Sequence, residues 1–168
     1  VRTVVGMAER AAGLTVQSVV VNVTAGRLGS ETFSAAVSLG GTEVERTDIS
    51  RVLKAVNERS VRPERSIIHA MPIGYALDGQ KGVRDPRGMV GERLSIDVAV
   101  VSSETLAMRN IELVLHRCHL QIVALVATPY ASGLSTLVDD EASLGGACRE
   151  FGGATTTVSV FADGQLVD

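Results

Sequence analysis

The 168 residues carry 16 Lys and Arg against 19 Asp and Glu, a formal net charge of −3 that offers no general attraction for nucleic acid. Hydrophobic residues make up 45%, enough for a core, but aromatics are 3% and Trp is absent, so that core is aliphatic and no stacking cluster for bases exists. The longest uninterrupted apolar run, Ile122 to Ala127, is far too short for a transmembrane helix. Cys118 and Cys148 stand far apart with no CxxC partner, the usage of a reduced cytoplasmic protein rather than a disulfide scaffold. No starting Met or signal-peptide pattern is present, and a helical pattern is already running at Val1, so the chain reads as a piece of something larger.

Thr3 to Leu14 is predicted helical, with Val4, Met7, Ala8 and Ala11 on one side and Gly13 at the stop. Ser18 to Thr24 is a β-branched run, the pattern of a strand covered on both faces. After a turn at Gly26 and Gly29, Phe33, Ala35, Val37 and Leu39 alternate as in a strand that ends at Gly40-Gly41. Thr47 is a good N-cap and Asp48 suits the first turn of a helix whose stripe is Ile49, Val52, Leu53 and Val56. Ile67 to Leu77 is a strand that Pro72 assigns to an edge or a bend.

Residues 78 to 92, with four glycines and Pro86, are predicted to be a loop. Leu94, Ile96, Val98 and Val100 alternate in the next strand, and Ser103 can cap a helix with the stripe Ala107, Ile111, Val114, Leu115 and Cys118. A buried strand follows at Gln121 to Ala127, then a helix from Pro129 to about Val138, then strands Gly146 to Phe151 and Thr156 to Phe161. This order describes a mixed α/β chain, with a boundary most plausible at Asp139-Asp140-Glu141.

Several side-chain groups invite a chemical reading. In His116-Arg117-Cys118-His119, offsets of two and three at a helix end do not put the ligands on one face, which disfavours a metal. Ser132 and Ser135 lack a nucleophile elbow and a base, and His69 reads as a core or edge histidine. The basic loop around Arg84, Asp85, Pro86, Arg87 and Gly88 suits an acidic partner or is a solvated connection. In CREFGGATTTVSVF, Glu150 runs into Gly152-Gly153, where bare backbone N–H groups can approach a phosphate, with Ala154 and Thr155 completing the turn. A plain hairpin explains the same residues.

That turn resembles the second phosphate loop of the actin, Hsp70 and sugar-kinase superfamily. HAMPIGYALDGQKGVRDPRGMVGERL (69 to 94), RNIELVLHRCHLQI (109 to 122), TPYASGLSTLVDDE (128 to 141) and LGGACREFGGATTTVSVF (144 to 161) are similar to consecutive blocks of the FtsA family of actin-like bacterial cell-division proteins. The loop from Gly82 to Leu94 separates this resemblance from sugar kinases and Hsp70 chaperones.

The resemblance implies an actin-like ATPase fold with an inserted SHS2-type subdomain. Residues 1–27 would end the first actin-like subdomain and 28–126 would form the insertion. Residues 127–143 would be the return helix, and 144–168 the start of the second lobe. It implies a cytoplasmic protein at the membrane of the division site, with ATP and Mg2+ bound by the complete protein and weak or no ATPase activity. Its partners would be itself in filaments, FtsZ, late division proteins such as FtsN, and the membrane through a C-terminal helix outside this chain.

Glu150, Gly152, Gly153, Ala154 and Thr155 would be phosphate-loop residues, and Arg84, Arg87, Gly88, Met89 and Arg93 a partner or self-assembly loop. Glu150 stands where the family has Asp, Ala154 replaces a third glycine, and Arg149 occupies a position that is normally apolar. The alternatives are a related pilus-assembly ATPase or an actin-fold phosphotransferase.

Overall fold

The computed structural model describes residues 1–60 and 62–168. Helix α1 (Arg2–Ala12) stops at Gly13, which takes the left-handed conformation expected of a C-cap. Its apolar stripe is not covered: Val4 and Met7 are exposed. Strand β1 (Ser18–Val23) pairs in parallel with β6 (Gln121–Ala127) as a two-stranded sheet. Val20 (60% exposed) and Val123 (69%) correct the expectation that both faces of these strands are buried. Helices α3 (Thr105–His116) and α4 (Thr128–Thr136) pack against this strand pair, and none of the described residues covers the two valines.

Residues between β1 and α3 build a four-stranded antiparallel sheet in the order β2 (Gly29–Ser38), β5 (Arg93–Glu104), β3 (Arg65–Leu77), β4 (Gln80–Val83). Helix α2 (Arg46–Ser60) lies across one face, where Val52 and Val56 meet Ala35, Leu94, Ile96 and Val98. Each large aliphatic side chain removed from water here contributes about 1.5–3 kcal/mol. The helix begins one residue before the predicted cap. Asp48 reaches back to accept a hydrogen bond from the N–H of Glu45 (3.0 Å), while the Thr47 hydroxyl donates to the Glu45 carboxylate.

Pro72 behaves as its missing N–H requires. β3 pairs with β5 along its length but with β4 only from Tyr75 to Leu77, so at Pro72 its outer side is a sheet edge, with a bulge between Pro72 and Gly74.

The opposite face of β5 is also covered. Val101 joins Ala127, Phe161 and Leu166 in a second cluster, with Met71 and Tyr130 packed beside it. His69 of β3 reaches into this region, where its Nε2 accepts a hydrogen bond from the N–H of Ala127 (2.9 Å) and its ring meets Tyr130 edge-on. Burial lowers its pKa, in keeping with a neutral, accepting imidazole.

Ser103 does not cap α3. It is the second-last residue of β5, fully buried, and its hydroxyl donates to the carbonyls of Ala25 and Gly26. The buried side of α3 carries Met108 and Leu115, whereas Val114 is 45% exposed. The helix predicted through Val138 ends at Thr136, because Leu137 turns extended. The acidic stretch forms a short helix of its own, α5 (Asp139–Leu144), with all three carboxylates in its first turn, where the helix dipole favours them. Finally β7 (Gly146–Phe151), β8 (Thr156–Ala162) and β9 (Gln165–Leu166) form an antiparallel sheet.

Candidate functional site

The segment from Asp78 to Glu92 is shorter as a loop than its glycines and proline predicted. Asp78 and Gly79 both take positive φ (50° and 85°), a tight turn that launches β4 beside the end of β3. The Asp78 carboxylate then accepts from the N–H groups of Glu92 (3.0 Å) and Arg93 (2.7 Å), closing the base of the loop. Its far side is laced to the segment before α2: Val44 N–H donates to Met89 (2.8 Å), Gly88 N–H to Val44 (3.1 Å), and Leu39 N–H to Glu92 (2.8 Å). Pro86 is fully buried. The segment is therefore pinned along its length rather than freely solvated.

Within it, Arg87 grips Asp85 through paired guanidinium–carboxylate hydrogen bonds, and those bonds hold the Asp85 carboxyl down to about 2. One of the basic residues counted from sequence is thus neutralised inside the loop. Arg84 is 91% exposed and its nearest carboxylate, Asp163, lies 3.8 Å away and is itself exposed, a weak pairing. Arg84 and Arg87 line one cleft of about 460 Å3 together with Arg46, Ile49, Ser50, Tyr75, Asp85 and Pro86. Gly88 and Met89 act through backbone hydrogen bonds, and Arg93 lies exposed at the start of β5, outside the cleft. Arg46 and Tyr75 escaped the sequence reading because one belongs to α2 and the other to β3. Only the sheet with its covering helix brings them beside the loop.

The glycine turn is a four-residue connection between paired Phe151 and Thr156, closed by a bond from Gly152 N–H to the Thr155 carbonyl (2.8 Å). Neither Gly153 nor Ala154 takes a positive φ, so alanine in place of a third glycine adds no backbone strain. The N–H groups of Gly153 and Ala154 have no partner among the described residues, and the space over Gly153 is open to 4 Å. Glu150 is half-buried and accepts from the Thr157 hydroxyl (3.3 Å) on the neighbouring strand. Arg149 points outward, its guanidinium 4.7 Å from the Phe151 ring centroid, which removes the difficulty of an arginine in this strand.

These residues fit one wall of a phosphate site: free backbone donors at Gly153 and Ala154 and a carboxylate, Glu150, on the strand that enters the turn. One wall supplies few of the contacts that hold a triphosphate, so the chain by itself should bind ATP more weakly than micromolar. Titration calorimetry checks this, and a micromolar dissociation constant would refute it.

The other chemical candidates stay ordinary. The hydroxyls of Ser135 and Thr136 donate to the Ser132 carbonyl within α4. His116 and His119 are exposed while Cys118 is half-buried, and no three His, Cys, Asp or Glu side chains converge among the described residues.

A further constellation, absent from the sequence reading, joins the four-stranded sheet to the rest of the chain. The chain enters at Ala25-Gly26 and leaves at Ser103-Glu104, where Glu104 N–H donates to the Gly26 carbonyl (2.7 Å). Arg65 stitches the same place, donating to the carbonyls of Arg27 (3.0 Å) and Ser102 (2.6 Å).

Residues 25–102, which begin and end at this neck, match the family described as the SHS2 domain inserted in FTSA. The chain is 52% identical over 99% of its length to the cell division protein FtsA of Agrobacterium fabrum. It is 33% identical over 95% of its length to that of Pseudomonas aeruginosa, and 29% identical over 99% to that of Bacillus subtilis. It spans 38% of the length of each of these relatives.

Proposed function

We propose, from the membership of this chain in the FtsA family of cell-division proteins, that it serves bacterial division as the part of an ATP-binding scaffold that displays the inserted SHS2 subdomain. The observation that carries this reading is the extent of the match, which runs through the insertion and both of its flanks. In this reading the complete protein binds ATP with Mg2+, has weak or no ATPase activity, and forms filaments beneath the membrane. It links FtsZ to late division proteins such as FtsN. The Gly152–Thr155 turn supplies part of the phosphate contacts, and Arg84, Arg87, Gly88, Met89 and Arg93 form the segment that meets a neighbour. The pinning of that segment supports the assignment, since a loop held by backbone bonds loses little entropy on binding.

The test is charge reversal in the full-length protein. Arg84→Glu combined with Arg87→Glu should reduce sedimentation of filaments on lipid vesicles, or recruitment of late proteins, several-fold while FtsZ binding survives. Arg87→Glu also sets a second carboxylate beside Asp85, so thermal stability is measured in parallel and Arg84→Glu alone serves as the milder variant. Unchanged assembly and recruitment in stable proteins would leave the segment a connector.

A further inference from the structure

The cleft beside the pinned segment has a chemistry of its own. It is lined by the half-buried Tyr75 and Ile49 over the buried Pro86, and by Arg46, Arg84 and Arg87 with the carboxylate of Asp85, while the exposed Asp163 carboxylate lies 3.8 Å from Arg84. Three arginines less Asp85 and the neighbouring Asp163 leave a local charge of +1 on a chain whose formal net charge is −3. Arg87 already satisfies Asp85 and Arg84 meets the exposed Asp163 only weakly, so the charge facing outward is that of Arg46 and, less completely, of Arg84. Arg46 has no ion-pair partner among the described residues. The volume of about 460 Å3 holds one large side chain and the backbone around it, which is more than a free phosphate or a metal would use.

We propose that this cleft binds an acidic linear peptide, an extended segment that lays one aromatic or apolar side chain on Tyr75 and Ile49 and sets carboxylates on either side of it against Arg46 and Arg84. Charge complementarity selects this occupant. An apolar floor alone would accept many ligands, and arginines alone would accept any anion. The combination asks for carboxylates spaced around an apolar residue. Tyr75 and the arginine stems supply apolar contact, and the guanidinium forks suit carboxylates better than ammonium groups would. The proposal rests on reading the segment from Arg84 to Arg93 as a partner loop, and it names the chemistry of that partner.

Fluorescence anisotropy of a fluorescein-labelled peptide, Glu-Asp-Phe-Glu-Asp, titrated with the 168-residue chain at low salt, tests it. Saturable binding is expected, weakened at least about tenfold by either Arg46→Glu or Arg84→Glu and by Tyr75→Ala, and falling with added salt. Arg10→Glu, on α1 outside the cleft, should leave it unchanged. Circular dichroism confirms that each variant is folded, and Tyr75→Phe should retain binding where Tyr75→Ala loses it. No saturable binding overturns the proposal, as does equal affinity for the Lys-substituted peptide. So does equal affinity for a peptide with Ala in place of Phe, which would reduce the site to bulk electrostatics. Self-association of the chain that the peptide does not displace, with no peptide binding, would assign the cleft to a second copy and overturn it as well. These outcomes are separable from the filament assay. Peptide binding lost in the Arg46→Glu full-length protein with filaments intact supports the cleft as a docking site apart from assembly.

Discussion

Gly26→Ala is expected to destabilise the chain by about 2–5 kcal/mol, a large share of the roughly 5–15 kcal/mol that holds a typical domain folded. Two costs combine. Gly26 has φ 76°, a conformation that strains any residue with a Cβ by about 1–3 kcal/mol. A Cβ there would also stand 2.3 Å from the Ser103 hydroxyl and 2.7 Å from the Ala107 Cβ. The Ser103 hydroxyl cannot simply swing aside. The residue is fully buried and its proton is shared between the carbonyls of Ala25 (2.8 Å) and Gly26 (3.1 Å), so moving it strands a polar group.

Urea denaturation followed by circular dichroism measures the loss, and a change below about 1 kcal/mol would show that the neck relaxes freely. Ser103→Ala removes one of the two clashing groups, so the double variant should lose less than the sum of the singles. In a full-length protein the same change loosens the junction between the inserted unit and its support, and the orientation of the 84–93 segment with it.

The second large effect is Gly133→Ala, where two principles predict opposite signs. Gly133 lies inside α4, and helix propensity alone makes alanine the better residue by about 1 kcal/mol. Yet its Cβ would sit 2.2 Å from the Phe161 Cε2 and 2.4 Å from its Cζ. Phe161 is 1% exposed and stacked against Tyr130, with centroids 6.2 Å apart, so the ring has no open space to enter. Overpacking of this kind costs about 1–3 kcal/mol or more. Packing should win, and thermal unfolding should show a lower melting temperature for the variant. A stabilised Gly133→Ala protein would mean that α4 shifts away from β8 at little cost. Shortening the ring with Phe161→Leu should partly rescue the variant, which separates the steric cause from a general defect in the helix.

The periodicities along the chain determined what is local. The spacing of Ile49, Val52, Leu53 and Val56 determined α2 and its buried side, and the alternation from Leu94 to Val100 determined which side chains of β5 face that helix. Pro72, by lacking an N–H, determined that its side of β3 could not be paired. The resemblance carried by the blocks from His69 to Phe161 located the family before any geometry was known. The two periodicities and Pro72 rest on one residue's chemistry or on a repeat no longer than a single element, whereas the resemblance rests on the order of whole blocks.

Tertiary structure decided the rest. It took Ser103 from a helix cap to a buried neck, left Val20 and Val123 uncovered, and folded the acidic stretch into α5. It also spent Arg87 on Asp85 and set Arg46 and Tyr75 beside Arg84. Gly26 meets Ser103, and Gly133 meets Phe161, across long intervals of chain. A hydropathy pattern records which residues prefer to leave water, but a strand with no neighbour on one face keeps the same pattern exposed. Charge is as mute in sequence: an arginine is free or paired according to which carboxylate the fold brings within reach.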